Sequence, residues 1–158
     1  GATARVFTLE EELPFAGHPI LGAAAVLHRT RRPDDTICKW AIDLPVGNVE
    51  VSTELRPHSI LCEMDQGAAR FLRSVEGDAL EPVLLRLGLQ QSHMHDALIP
   101  HVVSTGLPYL ILPVNAIGLA EAAIRGADFE ESLQSLSAKF VLLLDVESKE
   151  VRTWDNLG

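Results

Sequence analysis

The chain is short of aromatic residues, cysteine and positive charge, and it has no long hydrophobic run. Aromatic residues make up 5% of the sequence against a hydrophobic share of 47%, so a core has to be built from Ala, Val, Ile and Leu, a composition of folded globular chains that excludes disorder. Lys plus Arg number 13 against 22 Asp plus Glu, a formal net charge of −9, which repels phosphate backbones and anionic membrane surfaces and argues against a nucleic-acid or membrane partner. A small anion is still admissible where backbone N–H groups converge. The 2 cysteines, Cys38 and Cys62, form no C-x-x-C, so neither a zinc site nor a disulfide framework is indicated and reduced, buried thiols are expected. The apolar runs at 20–27 and 140–144 are too short to span a bilayer and no charged-then-apolar leader opens the chain, so a cytoplasmic protein is expected. Missing too are G-x-S-x-G, the phosphate-binding G-x-x-x-x-G-K, a dinucleotide fingerprint, internal repeats and low-complexity tracts.

At 158 residues the chain is about one domain, or one and a fraction, able to bury roughly two thirds of its unfolded surface. "TARVFTL" predicts a strand ending near Glu10. A helix over residues 20–27 follows, then the polar turn "RRPDD", and then strands in "TICKWAID" (36–43), "NVEVSTEL" and "SILCEMDQ", whose short links predict an antiparallel meander for the helix to cover. The pattern over 78–87 puts Leu80, Val83, Leu84 and Leu87 on one helical face, with Pro82 near the first turn. "GLPYLILPV" reads as a buried strand, "NAIGLAEAAI" as a helix capped by Asn115, "DFEESLQSLSA" as one capped by Asp128, and "KFVLLLDV" with "KEVRTW" as a hairpin around Glu147 and Ser148.

One stretch stands apart. "ELPFAGHPILGAAAVL" leads into a helix beginning near His18 that turns apolar at once, with no polar face before His28, and a helix apolar all round is expected to be buried on every side. Its first N–H groups have no intrahelical partners. Pro19 removes one of these donors and Gly17 lets a ligand approach the main chain, leaving a cluster of donors at the positive end of the helix dipole, suited to a carboxylate. The same field disfavours a second positive charge, so His18 is expected as a neutral hydrogen-bonding or proton-relaying group. Capping of a core helix by His18 is the alternative.

"RVFTLEEELPFAGHPILGAAAVL" resembles the signature of the phenazine-biosynthesis isomerase-like (PhzF-like) family, and "PHVVSTGLPYLILPV" resembles the segment leading out of that family's first domain; residues 30–95 agree in pattern only. The resemblance implies an α+β, diaminopimelate epimerase-like fold: two pseudo-symmetric halves, each a curved, mostly antiparallel sheet wrapped around a central buried helix. It divides the chain into 1–100, most of a first domain, and 101–158, the start of a second. It implies cofactor-independent proton transfer at carbon of a small carboxylate-bearing substrate, no metal, a homodimer, Gly17 and His18 as substrate-binding residues and His18 as the catalytic one. Epimerase relatives have a catalytic cysteine just before that glycine; here the position is Ala16, which excludes two-thiol racemase chemistry. The family's catalytic glutamate would precede Arg5 and its second-half motif would follow Gly158, so the chain is expected to be the central piece of a longer enzyme, inactive alone. A non-catalytic binding or assembly scaffold using an exposed sheet edge is the alternative.

Other candidates are weaker. Glu10, Glu11 and Glu12 read as a solvated turn, with Glu12 matching a recurring family acid that orients the loop rather than shuttling the proton. His93, His95 and His101 have a spacing compatible with zinc, though "QQSHMHD" reads as an exposed loop. Ser104, Thr105 and Gly106 could line a cleft or simply form a turn that needs Gly106.

Overall fold

The computed structural model describes residues 1–9 and 11–154; Glu10, the expected end of the first strand, and residues 155–158 lie outside the described residues. Contacts divide the chain into two compact units, Gly1–Ala68 and Ala69–Gly158. The division expected near residue 100 concerns domains of the intact protein; within this chain residues 75 and 100 belong to one unit, where the Val75 N–H donates to the Pro100 carbonyl at 2.8 Å.

The first unit runs β1 (Ala2–Thr3), β2 (Val6–Phe7), β3 (Glu12–Leu13), α1 (Gly17–Arg31), β4 (Ile37–Leu44), β5 (Gly47–Leu55) and β6 (Ile60–Met64). The expected opening strand is in fact two short ones: β1 pairs parallel with β4, while β2 turns away to pair antiparallel with β3. The meander is as expected, β4 on β5 on β6, all antiparallel, in a sheet of order β1-β4-β5-β6. Alternation aims Cys38, Ile42, Leu44, Val51 and Thr53 inward, and α1 packs against β5 and β6. Within the first unit, among the described residues, the helix is not enclosed on every side. Ile20, Ala24 and His28, one stripe at four-residue spacing, are buried, whereas Gly22 is exposed and Val26 is 61% exposed. A single sheet lies against α1, and one sheet can cover only one face of a cylinder.

Both cysteines are free. Cys38 and Cys62 flank Thr53 in register on neighbouring strands, which separates them by two strand spacings, about 9.5 Å and beyond disulfide reach. Burial pushes both thiols up from their ordinary range, and the Asp35 charge adds to this at Cys38.

The second unit runs β7 (Arg70–Ser74), α2 (Glu81–Leu87), β8 (His101–Ser104), β9 (Pro108–Pro113), α3 (Ala116–Glu121), α4 (Phe129–Ser135), β10 (Phe140–Asp145) and β11 (Glu150–Trp154). Its sheet has the order β11-β10-β9-β8-β7, antiparallel except where α3 and α4 carry the chain across between the parallel β9 and β10. One core joins Val102, Leu110, Leu112, Val141 and Leu143 of the sheet to Leu80, Val83, Leu84 and Leu87 before and in α2, Leu119 in α3 and Leu133 in α4. The predicted apolar face of α2 is therefore correct, although a short 3-10 turn, Gly77–Ala79, replaces its expected first residues. Asn115 caps α3, accepting from the Gly118 N–H at 2.9 Å. Asp128 stands at the N-cap of α4 as expected, but its side chain makes no cap bond; its carboxylate is taken by the Arg86 guanidinium instead. Among the described residues no helix is long and apolar enough to cross a membrane.

Two helix glycines should respond oppositely to alanine. A Cβ on Gly22 would meet nothing within 4 Å, so Gly22→Ala should raise stability by about 0.5–1 kcal/mol through backbone entropy. On Gly118 it would lie 2.8 Å from the His93 carbonyl oxygen and 2.9 Å from the His93 Cβ, so Gly118→Ala should destabilise by about 1–3 kcal/mol; denaturant titration of the two variants checks both signs.

A second expectation concerns Asp145, only 1% exposed at the end of β10. The Ser148 hydroxyl, 2.7 Å away, holds its carboxyl below the usual carboxylate range against the effect of burial, helped by the backbone N–H groups of Glu147 and Ser148 and by His95. Because the folded state favours the ionised form, the stabilisation is present above the unfolded carboxylate range and is lost as pH falls through the lowered folded value. Asp145→Asn should therefore melt lower than wild type at neutral pH, with the gap closing in acid; equal melting temperatures at neutral pH would refute this.

Candidate functional site

The head of α1 is built by the ribbon before it. Strands of two residues are too short to hold by backbone bonds alone, and Arg5 ties them by a bidentate pair to Glu12, Nε to Oε1 at 2.8 Å and Nη2 to Oε2 at 2.6 Å, with its guanidinium 4.9 Å from the Phe7 ring centre. Leu13 and Phe15, both buried, then anchor the approach to the helix. The hydrogen bond from Arg5 holds the Glu12 carboxyl below its usual range, so Glu12 is an engaged, ionised acceptor and not a base poised near neutrality. Glu11 belongs to the turn, its N–H donating to the Thr8 hydroxyl at 3.0 Å.

Ala16 is the N-cap, in extended conformation at φ −153°, and offers no side-chain bond; no acidic residue occupies the first turn. The N–H groups of Ala16, Gly17 and His18 therefore face outward without an intrahelical acceptor, and Pro19 contributes none. Gly17 is half-buried and His18 is exposed beside it. A Cβ at Gly17 would stand 3.2 Å from the Gln66 Nε2 and 3.7 Å from the Met64 Cε, so the amide and the thioether methyl of the chain around the end of β6 border this point of the main chain. The head of α1 offers backbone donors and a positive dipole end, with a side-chain amide near Gly17 and an exposed imidazole on the next residue, chemistry that suits a carboxylate.

Gly17 and His18 thus sit together where the sequence puts them, at the mouth of α1. The other candidates have local partners in the second unit. Ser104, buried, accepts from the Gly106 N–H at 3.1 Å, and Gly106 adopts φ +152°, so these residues form the β8–β9 turn. His93 accepts from the Gln90 N–H, His95 from the Ala97 N–H, and His101 faces the Ile99 carbonyl at 2.8 Å. Among the described residues no group of three or more His, Cys, Asp and Glu is placed to hold a metal ion.

Sequence reasoning missed two things here. Gln66 and Met64 beside Gly17 depend on where β6 ends against α1, which no spacing reveals. His28 is fully buried at the far end of the same helix, Nδ1 2.7 Å from the Thr53 Oγ1 and Nε2 2.7 Å from the Asp35 carbonyl oxygen. A carbonyl only accepts, so Nε2 bears a proton, and in the neutral ring Nδ1 then accepts from Thr53, whose oxygen accepts in turn from the Trp40 Nε1–H at 2.9 Å. The signal was its place four and eight residues beyond Ala24 and Ile20.

The family model described as phenazine biosynthesis-like protein (PhzC-PhzF) matches residues 2–150. A solved structure of a predicted epimerase from Pseudomonas aeruginosa is 45% identical with a TM-score of 0.88, covering 99% of this chain and 55% of its own. A Bacillus anthracis phenazine biosynthesis protein of the PhzF family is 21% identical with a TM-score of 0.70, covering 96% of this chain and 51% of its own. A probable proline racemase from Agrobacterium radiobacter, 9% identical with a TM-score of 0.59, covers 96% of this chain and 48% of its own, and like the Bacillus protein it shows the fold alone. No curated protein matches the chain, which spans about half the length of these solved proteins. The fold is the α+β, diaminopimelate epimerase-like fold, and the chain belongs to the phenazine biosynthesis-like, PhzC-PhzF family.

Proposed function

We propose that the intact protein is an isomerase or epimerase that moves a proton at carbon of a small carboxylate-bearing substrate, by acid/base chemistry and without a cofactor. The Gly17 N–H at the head of α1 binds the substrate carboxylate. His18 hydrogen-bonds the substrate and relays a proton, and is the catalytic residue of this chain. Family membership and the epimerase-like neighbour support the reaction class. The observation that carries the site is the head of α1 itself: an N-cap without a side-chain bond, no acid in the first turn, and an exposed imidazole next to an approachable glycine. On the same reading the protein works in the cytoplasm as a homodimer, and its net charge of −9 makes the local donors, not the global field, responsible for holding an anion.

Proton exchange in D2O tests this even while the substrate is unidentified. The intact protein is incubated with a panel of small cyclic and aromatic carboxylates, and loss of a C–H signal is followed by NMR. His18→Ala should slow exchange by about 10²–10⁴-fold, the usual weight of a general acid/base group, while the exposed site keeps the melting temperature near wild type. Exchange at the wild-type rate in that variant would remove His18 from the chemistry.

A further inference from the structure

The apolar pattern of α1 does not say which face should meet the sheet. Over its first three turns the pairs Leu21 with Ala25 and Ala23 with Leu27 are as apolar as Ile20 with Ala24, and a helix apolar all round gains similar free energy from burying any of them. The fourth turn breaks the tie. Two of these stripes continue into Arg29 and Arg31, and the third, the one buried, continues into His28. Burying an imidazole is unfavourable unless both nitrogens find partners, so it selects the arrangement that supplies them.

That arrangement is narrow. The Thr53 hydroxyl on β5 donates to Nδ1, and Nε2–H donates to the carbonyl of Asp35 in the turn before β4, each at 2.7 Å. Thr53 is itself held by the Trp40 Nε1–H at 2.9 Å, and the Cys38 Sγ lies 3.7 Å from Nε2. Rotating α1 by one residue, or sliding it by a turn of about 5.4 Å, breaks both bonds, whereas the contacts of Ile20 and Ala24 are non-directional and tolerate the change. We propose that His28, paired with Thr53, is the positioning residue that fixes the rotation and axial setting of α1. Through eleven residues of rigid helix, about 16 Å of rise, it fixes where Gly17 and His18 stand. The role at a carboxylate site rests on the function proposed above; the seating of the helix does not.

The two are separable in one set of spectra, recorded on the intact protein with His28→Leu, Thr53→Val and Thr53→Ser. With helix content by circular dichroism retained, His28→Leu and Thr53→Val should move or split the amide signals of Gly17, His18, Ile20 and Leu21, while Thr53→Ser, which keeps the hydroxyl, should overlay wild type. Titration with benzoate, read at the Gly17 amide, should weaken about tenfold in the first two variants. First-turn amides that overlay wild type in the folded variants overturn the proposal, and the near-isosteric Thr53→Val decides alone should His28→Leu fail to fold. If benzoate leaves the Gly17 amide of wild type unmoved, the carboxylate site falls, and the amide positions still judge the seating.

Discussion

A backbone group removed from water must find a partner, and at the head of α1 the fold leaves that partner to be supplied from outside the helix. Three consecutive residues, Ala16, Gly17 and His18, present N–H groups that the helix cannot satisfy, and the start of the helix offers them no side chain of its own: the cap is alanine and the first turn has no acid. A helix elsewhere in the same protein shows the alternative. The head of α3 is closed by Asn115, whose side chain accepts from the Gly118 N–H. The contrast between a closed and an open helix head within one chain is the physical basis for placing a ligand at α1.

Open donors are useful only if they are held still, and the holding is done from both ends. At the near end the ribbon is tied by Arg5 and Glu12 and anchored by Leu13 and Phe15. The ion pair is exposed, at 64% and 31% for its two side chains, so it steers the local geometry more than it stabilises the fold. At the far end the seat lies inside the protein, where an imidazole with both nitrogens bonded has no aqueous competitor. Between these two restraints α1 is a plain aliphatic rod.

How much of this was legible depended on whether the signal is local. Helix α1, the β4–β5–β6 meander, the apolar face of α2, the Asn115 cap and the β10–β11 hairpin are written in periodicity and turn chemistry, and they stand within a residue or a few of where the sequence puts them. The splitting of the first strand was not legible, because β1 bonds to β4 across the whole of α1, a pairing that no local pattern announces. Asp128 holds the cap position that its type and place announce, but Arg86, far away in sequence, outcompetes the backbone for its carboxylate. The expectation of a fully enclosed α1 followed from an all-round apolar sequence, yet within the first unit one stripe, Ile20, Ala24 and His28, is buried. At the candidate site Gly17 and His18 were legible from a short motif, whereas Gln66, Met64 and His28 were not, since their relevance lies in which strand end and which turn they meet.

The open head also bears on why such a site would serve proton transfer rather than mere binding. When a proton leaves a carbon next to a carboxylate, the negative charge left behind spreads onto the carboxylate oxygens, so charge on those atoms grows as the transition state is approached. Fixed N–H donors and a dipole aimed there gain more from the transition state than from the bound substrate, and only such a difference accelerates a reaction. Ala16 adds to this by what it does not do: it brings neither a thiol nor a capping oxygen to compete for the donors. Glu12, bound to Arg5, is not free to take the proton. In the proposed reaction the head of α1 thus supplies the electrostatics, His18 stands as the exposed titratable side chain at its first turn, and the shape of the substrate beyond its carboxylate is left for other surfaces to read.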